Sequence, residues 1–284
     1  MTNYLLNAAI KGIIEGLTEF LPISSTAHLV LVRDFFPLMD TAADKAEIDR
    51  LNDIFDIVIQ FPAIIAVVIL YWKRLWDTIR TIPQRRESLM FWVSVLVAFF
   101  PAAVAGLLFH KKIEEKLMSP RPIAVAFILG GIVLIVLERI AGKNTVTRAE
   151  DVKPLTALKI GLFQCLGLIP GTSRSGATIV GGRLSDVDRF ASAEFSFFLA
   201  IPTMFAAFSY KMFVEHMLHP DRASAHINWS TDGGVLIVGS IASFLSAWIV
   251  ISLFIKYLQK HDLSVFGWYR IVLGILILIF VKSF

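Results

Sequence analysis

Residues 165–180 read CLGLIPGTSRSGATIV, an apolar run cut open at Pro170-Gly171-Thr172-Ser173-Arg174-Ser175-Gly176. Residues 15–28 read EGLTEFLPISSTAH and are interrupted in the same way at Pro22-Ile23-Ser24-Ser25. Each stretch predicts a helix, a polar break and a short second helix. Proline removes a backbone donor, glycine permits unusual backbone angles, and clustered hydroxyls compete with helical hydrogen bonds. In lipid such a break survives only where protein buries it or where it lines a wet cavity. The pattern is that of a re-entrant hairpin or of a discontinuous span.

The surrounding composition places both breaks in a membrane. Of the 284 residues, 56% are hydrophobic and 18% are charged, where a soluble domain carries about 25% charge. The mean hydropathy is +0.70. So few polar residues could not cover a soluble surface, and the surplus apolar area must face lipid. Six runs, 52–72, 88–109, 122–141, 189–214, 233–256 and 265–281, approach the ~20 residues that a span needs. Tyr71, Trp72, Trp76, Trp229, Trp268 and Tyr269 fall at run ends, where an interfacial aromatic belt belongs.

The two breaks resemble each other. Aligning Pro22 on Pro170 puts Ser24 on Thr172 and Ser25 on Ser173, and three spans follow each break. If the breaks are hairpins, each half crosses the bilayer three times, and an odd count turns the halves into an inverted repeat. The expected architecture is an all-α polytopic membrane protein with an inverted-topology repeat, each half being a re-entrant hairpin plus three transmembrane helices. It forms one membrane domain over 1–284. The first repeat covers about 1–118, a connecting span and loop about 119–154, and the second repeat about 155–284, with span 122–141 belonging by topology to the first. Lysine and arginine lean mildly toward the side of the 73–87 loop, which favours that loop as cytoplasmic and the N-terminus as external.

Several function classes drop out early. The net charge of +4 is spread over many loops with no basic tract, so no nucleic-acid partner is expected. One cysteine, Cys165, excludes an internal disulfide framework and a multi-cysteine metal site. The first apolar run carries Lys11, Glu15 and Glu19, which is unlike a cleavable signal peptide. His216 and His219 have ligand-like spacing but sit in a loop, where solvated histidines are the simpler reading. Arg270, close to a span end, is expected to snorkel toward the interface.

The chemistry collects at the breaks. Glu15 and Glu19 are one helical turn apart and share a face. Two like charges in an apolar helix are tolerable when a cation binds or when one carboxyl stays protonated. A helix lying partly in water is the structural alternative. Ser24, Ser25 and Thr26 open the next helix, whose free amides suit an anion, with His28 one turn further on. Capping alone would be the plain role of the serines. In the second break, Gly171, Thr172, Ser173, Ser175 and Gly176 can form a nest of amide and hydroxyl donors. Arg174 adds a planar fork that matches phosphate, or a salt bridge to a glutamate. Glu194 suits a structural pairing with an arginine. Carboxylates fit Mg2+ or Ca2+, arginine and amides fit phosphate, and histidine or serine fits proton transfer or attack. A lipid phosphate is the substrate this constellation implies.

EGLTEFLPISSTAH (Glu15 to His28), PGTSRSGAT (Pro170 to Thr178) and SAEFSFFLAIP (Ser192 to Pro202) resemble the undecaprenyl-diphosphate phosphatases of bacteria, the bacitracin-resistance family. The resemblance runs essentially end to end. It implies hydrolysis of undecaprenyl diphosphate to the monophosphate and inorganic phosphate, recycling the lipid carrier for peptidoglycan synthesis in the bacterial inner membrane. It implies two re-entrant hairpins in an inverted repeat. By this resemblance Glu15 and Glu19 are an acidic pair linked to divalent-metal dependence. Ser25 and His28 match the candidate nucleophile or base positions. Arg174, with Ser173 and Ser175, matches the phosphate-binding loop. Ala27 stands where the family usually has glycine, and Phe61-Pro62 follows Gln60 where it tends to have Leu-Gly. Val180, six residues after Arg174, is not the histidine that marks type-2 phosphatidic acid phosphatases.

A lipid-phosphate flippase is the reading from another class, since inverted repeats with broken helices are also a transporter architecture. His28 separates the two, because transport needs no acid or base. A homodimer is compatible with the sequence.

Overall fold

The computed structural model describes residues 2–40, 43–142, 145–215, 229–230 and 232–280; His216 and His219 lie outside them. Among the described residues the chain is helical and forms no strand, beyond a lone backbone bridge between Val146 and Val187. The helices are α1 (Thr2–Glu19), α2 (Ser25–Val32), α3 (Lys45–Val58), α4 (Gln60–Leu70), α5 (Trp72–Arg80) and α6 (Arg86–Leu117). They continue as α7 (Pro120–Ile140), α8 (Pro154–Gln164), α9 (Arg174–Arg183), α10 (Arg189–Ser209), α11 (Gly233–Leu258) and α12 (Ser264–Phe280).

Among the described residues, five helical stretches are long and apolar enough to cross a membrane: Lys45–Leu70, Arg86–His110, Pro120–Ile140, Arg189–Met212 and Gly233–Leu258. They coincide with five of the six predicted runs. The first begins seven residues earlier than its apolar run, because its polar start is held by partners. There Arg50 pairs with Asp232 at 3.0 Å, and Asn52 accepts from Lys11 Nζ at 2.8 Å. The sixth run becomes α12, whose 17 residues span about 25 Å at 1.5 Å per residue. That is shorter than the ~30 Å hydrocarbon core. This is a multi-pass membrane protein.

Outward faces are apolar, unlike those of a soluble bundle, and inward faces mix large apolar side chains with small and polar ones. On α11, Ile237, Ile241, Leu245, Ile249 and Leu253 are exposed at every fourth position, whereas Ser243, Ser246 and Ala247 are buried. Small residues let backbones approach where no hydrophobic drive separates helix from lipid. A Cβ added at Gly12 would lie 2.2 Å from the Gly239 carbonyl, and one at Gly16 would lie 2.3 Å from that of Ser243. These glycines seat α1 against α11. Likewise Gly161 seats α8 against α6, 2.3 Å from the Ala98 carbonyl by the same measure. α7 packs along α12, and α4 meets α10. Glu194, buried on α10, pairs with Arg74 at 2.6 Å, and Arg74 also pairs with Glu150.

Both breaks use one backbone device. Ser24 has φ 66° and Ser173 has φ 73°, each immediately before a short helix, and Gly171 has φ 90°. Only a few per cent of non-glycine residues adopt this region, and such residues gather at functional sites. The shared device equates Ser24 with Ser173. The proline-based alignment, which sets Ser24 on Thr172, is therefore corrected by one residue, because the second break is one residue longer.

Candidate active site

α1 ends at Glu19 and α9 begins at Arg174, so each break delivers one charged side chain to the same place. Arg174 Nη2 donates to Glu19 Oε1 at 2.8 Å. Ser25 Oγ donates to the other oxygen, Glu19 Oε2, at 2.5 Å. Arg174 is held further by Nη1 donating to the Ser196 carbonyl at 3.1 Å and by Nη2 lying 3.2 Å from Met204 Sδ. Behind it, Thr178 Oγ1 donates to Ser196 Oγ at 2.7 Å, which braces α9 against α10.

A cavity of about 220 Å3 opens on this group. Glu19, Ser24, Ser25 and Thr26 line it from the first break, and Gly171, Ser173 and Arg174 from the second. Gln60, Thr203 and Met204 close its sides. Ser24 Oγ makes no capping bond, so capping does not account for it. Ser173 does cap, accepting from the Gly176 amide at 3.1 Å, which engages that amide. Ser175 Oγ donates to the Leu21 carbonyl at 2.8 Å and so ties the second break to the first. Ser175, Thr172 and Gly176 support the loop and do not line the cavity. A larger cavity, about 410 Å3, lies at the far end of α9 between Arg183, Asp188 and Arg189. Arg189 there is already paired with Glu138 at 2.7 Å, and none of that cavity's lining residues belongs to either break.

Glu15 is fully buried, and neither of its carboxylate oxygens has a hydrogen-bond partner. An orphaned buried carboxylate one turn from Glu19 fits a cation, since buried charge must be compensated. No group of three or more histidine, cysteine, aspartate or glutamate side chains with metal-site geometry occurs among the described residues. Two carboxylates would therefore be the protein's share, and oxygens of phosphate or water the rest, which suits a hard cation.

His28 is not among the residues lining the cavity. Its Nδ1 lies 2.7 Å from the Ser24 carbonyl, which can only accept, so Nδ1 carries the hydrogen. In the neutral ring Nε2 then accepts from Tyr269 Oη at 2.6 Å. Tyr269, expected in an interfacial belt, is thus a partner of the first break. Arg270 departs from expectation more sharply. It does not snorkel: it is 1% exposed and points inward, because Gly130 and Gly131 on α7 leave room for it. Its bonds go to the carbonyls of Pro22, Gly171, Thr172, Ala126 and Phe127. Facing glycines on α7 were visible in the sequence, but their pairing with a distant arginine was not.

Residues 8–276 match the family described as bacitracin resistance protein BacA. A protein of Polaromonas naphthalenivorans is 45% identical over 278 residues, covering 96% of this chain and 94% of its own. One from Nitrosospira multiformis is 46% identical over 275 residues, and one from Nitrosomonas eutropha 47% over 276. Each of those two matches covers 97% of this chain and 94% of the relative. All three relatives are named undecaprenyl-diphosphatase.

Proposed function

Because the chain belongs to the bacitracin resistance protein BacA family, we propose that it hydrolyses undecaprenyl diphosphate to undecaprenyl phosphate and inorganic phosphate. One observation carries the reading: Glu19 joins the Ser25 hydroxyl of one break to the Arg174 guanidinium of the other, at the wall of one cavity. A hydroxyl held by a carboxylate is an activated nucleophile or a means to orient water. A guanidinium beside it meets charge on phosphoryl oxygens.

The incoming diphosphate competes with Glu19 for Arg174, and Ser24, Thr26, Ser173 and the amides of the breaks offer further donors. Glu19 takes the proton from Ser25 Oγ, or from a water in its place, as the new oxygen–phosphorus bond forms and the bond to the bridging oxygen breaks. Undecaprenyl phosphate is the leaving group. Where Ser25 attacks, water then cleaves the phosphoserine. His28 fixes the Ser24 carbonyl beside this hydroxyl and supplies a second acid–base group.

Glu15 and Glu19 would hold a divalent cation, Mg2+ or Ca2+. Bound there, it would neutralise phosphate charge.

An inverted repeat is supported by the exchange of partners between halves. α1 packs on α11, and its counterpart α8 packs on α6, while α4–α10 and α7–α12 pair like with like. The break-to-helix units 2–32 and 154–183 serve as re-entrant hairpins at the centre of one membrane domain. The setting proposed is the bacterial inner membrane, with carrier recycling for peptidoglycan synthesis and bacitracin resistance as consequences.

The test is phosphate release by purified protein in proteoliposomes that contain undecaprenyl diphosphate. Stoichiometric inorganic phosphate and undecaprenyl phosphate support the reading. Movement of the lipid between leaflets without phosphate release would replace it with a transporter.

A further inference from the structure

We propose that Arg270 is a positioning residue of the site, a buried clamp that holds the two breaks in register. An arginine has five N–H hydrogens, and here five carbonyls receive them. Nη1 donates to the Pro22 carbonyl of the first break at 3.0 Å and to the Thr172 carbonyl of the second at 2.9 Å. Nη2 donates to the Gly171 carbonyl at 2.9 Å and to the Ala126 carbonyl of α7 at 3.1 Å. Nε donates to the Phe127 carbonyl at 3.3 Å. Among the described residues no carboxylate pairs with this cation. Its charge is met by peptide dipoles from three separate parts of the chain.

The other links between the breaks, Arg174–Glu19 and Ser175–Leu21, use residues of the breaks themselves. The first of these must yield when a phosphate takes Arg174. Arg270 comes from α12, does not line the cavity, and keeps its bonds when that exchange occurs. Thr172 precedes Ser173, so fixing the Thr172 carbonyl fixes the peptide plane that leads into the positive-φ serine and Arg174. Fixing the Pro22 carbonyl holds the Pro22–Ile23 peptide plane, one plane upstream of the one that leads into Ser24. Arg270 therefore sets the distance between the hydroxyl of one break and the guanidinium of the other. It does so without touching substrate.

Two substitutions separate clamp from filler. Arg270→Lys keeps the charge but has three donors, which cannot span five carbonyls. Gly130→Ala leaves Arg270 intact and displaces it, because the added Cβ would fall 2.1 Å from Nη2. Hydrogen–deuterium exchange of the purified protein without substrate, read over 20–24 and 169–173, is the first measurement. Both variants should raise exchange in both breaks together. The second measurement rests on the phosphatase reading: turnover should fall by about 10²-fold with KM little changed, as expected of misplaced reacting groups. It should also combine less than additively with Ser25→Ala. Exchange altered in one break only, or in neither, overturns the clamp. So does a loss of thermal stability with the turnover of the folded enzyme intact. If the wild type releases no phosphate, the phosphatase reading falls and exchange alone decides the clamp. If Arg270→Lys does not accumulate, Gly130→Ala decides it.

Discussion

Glu19 and Arg174 stand 155 residues apart in sequence and 2.8 Å apart in space. That ion pair joins two helix breaks, each unusable alone in lipid, into one polar centre. The hydroxyl of Ser25 occupies the other oxygen of the same carboxylate. Glu19 is therefore the hub of the account.

Glu19→Gln should abolish turnover while the protein still accumulates in the membrane. An amide neither takes the proton from Ser25 nor balances a cation beside Glu15. Chelation of divalent ions should silence the wild type, and added Mg2+ or Ca2+ should restore it. Full turnover in excess EDTA would remove the metal from the account.

The pairing of the breaks was legible only in part. Pro22 and Pro170, followed by clustered hydroxyls, announce interruptions because they remove backbone donors from an apolar helix. Hydrophobic length marks six runs, and five of them are span-length helices among the described residues. Which break residues face the cavity depends on the turn at Ser24 and Ser173. Sequence separates a capping serine from a free one poorly, since both have the same neighbours. Distance from a span end says nothing about the face a residue occupies, so the inward turn of Arg270 does not follow from the sequence. Its room is made by glycines on α7, some 140 residues away, and no local pattern marks that partnership.

His28→Ala should lower turnover more than substrate binding. Its Nδ1 holds the Ser24 carbonyl, next to Ser25, and acid–base help is worth roughly 10²–10⁴ in rate. Steady-state kinetics checks this through separate effects on kcat and KM. A variant that loses affinity but keeps its turnover number would make His28 a binding residue.

Arg74→Ala should destabilise the fold without passing through the site. It strands Glu194, which is 3% exposed. Breaking a buried pair typically costs about 3–5 kcal/mol, and the partial exposure of Arg74 reduces that figure. Thermal unfolding in detergent should show a clear drop, and Arg74→Met with Glu194→Gln should recover part of it. An unchanged midpoint for Arg74→Ala would show that Glu194 finds another partner.

Asn3 and Gln84 are both exposed and are predicted on opposite sides of the membrane. With Cys165 replaced by serine, a cysteine at Asn3 should react with an impermeant thiol reagent in intact cells, and one at Gln84 should not. The reverse labelling would invert the orientation.

The most direct test of the composite site is Arg174→Lys, assayed by phosphate release from a prenyl diphosphate at saturating metal. Lysine keeps the charge, so an ion pair with Glu19 should survive and thermal stability should stay near that of the wild type. It lacks the planar fork that grips two phosphoryl oxygens. Loss of one preorganised donor typically lowers rate by about 10²–10³-fold, so kcat should fall by that amount. Near wild-type turnover by the lysine variant would contradict it and leave Arg174 as the structural partner of Glu19.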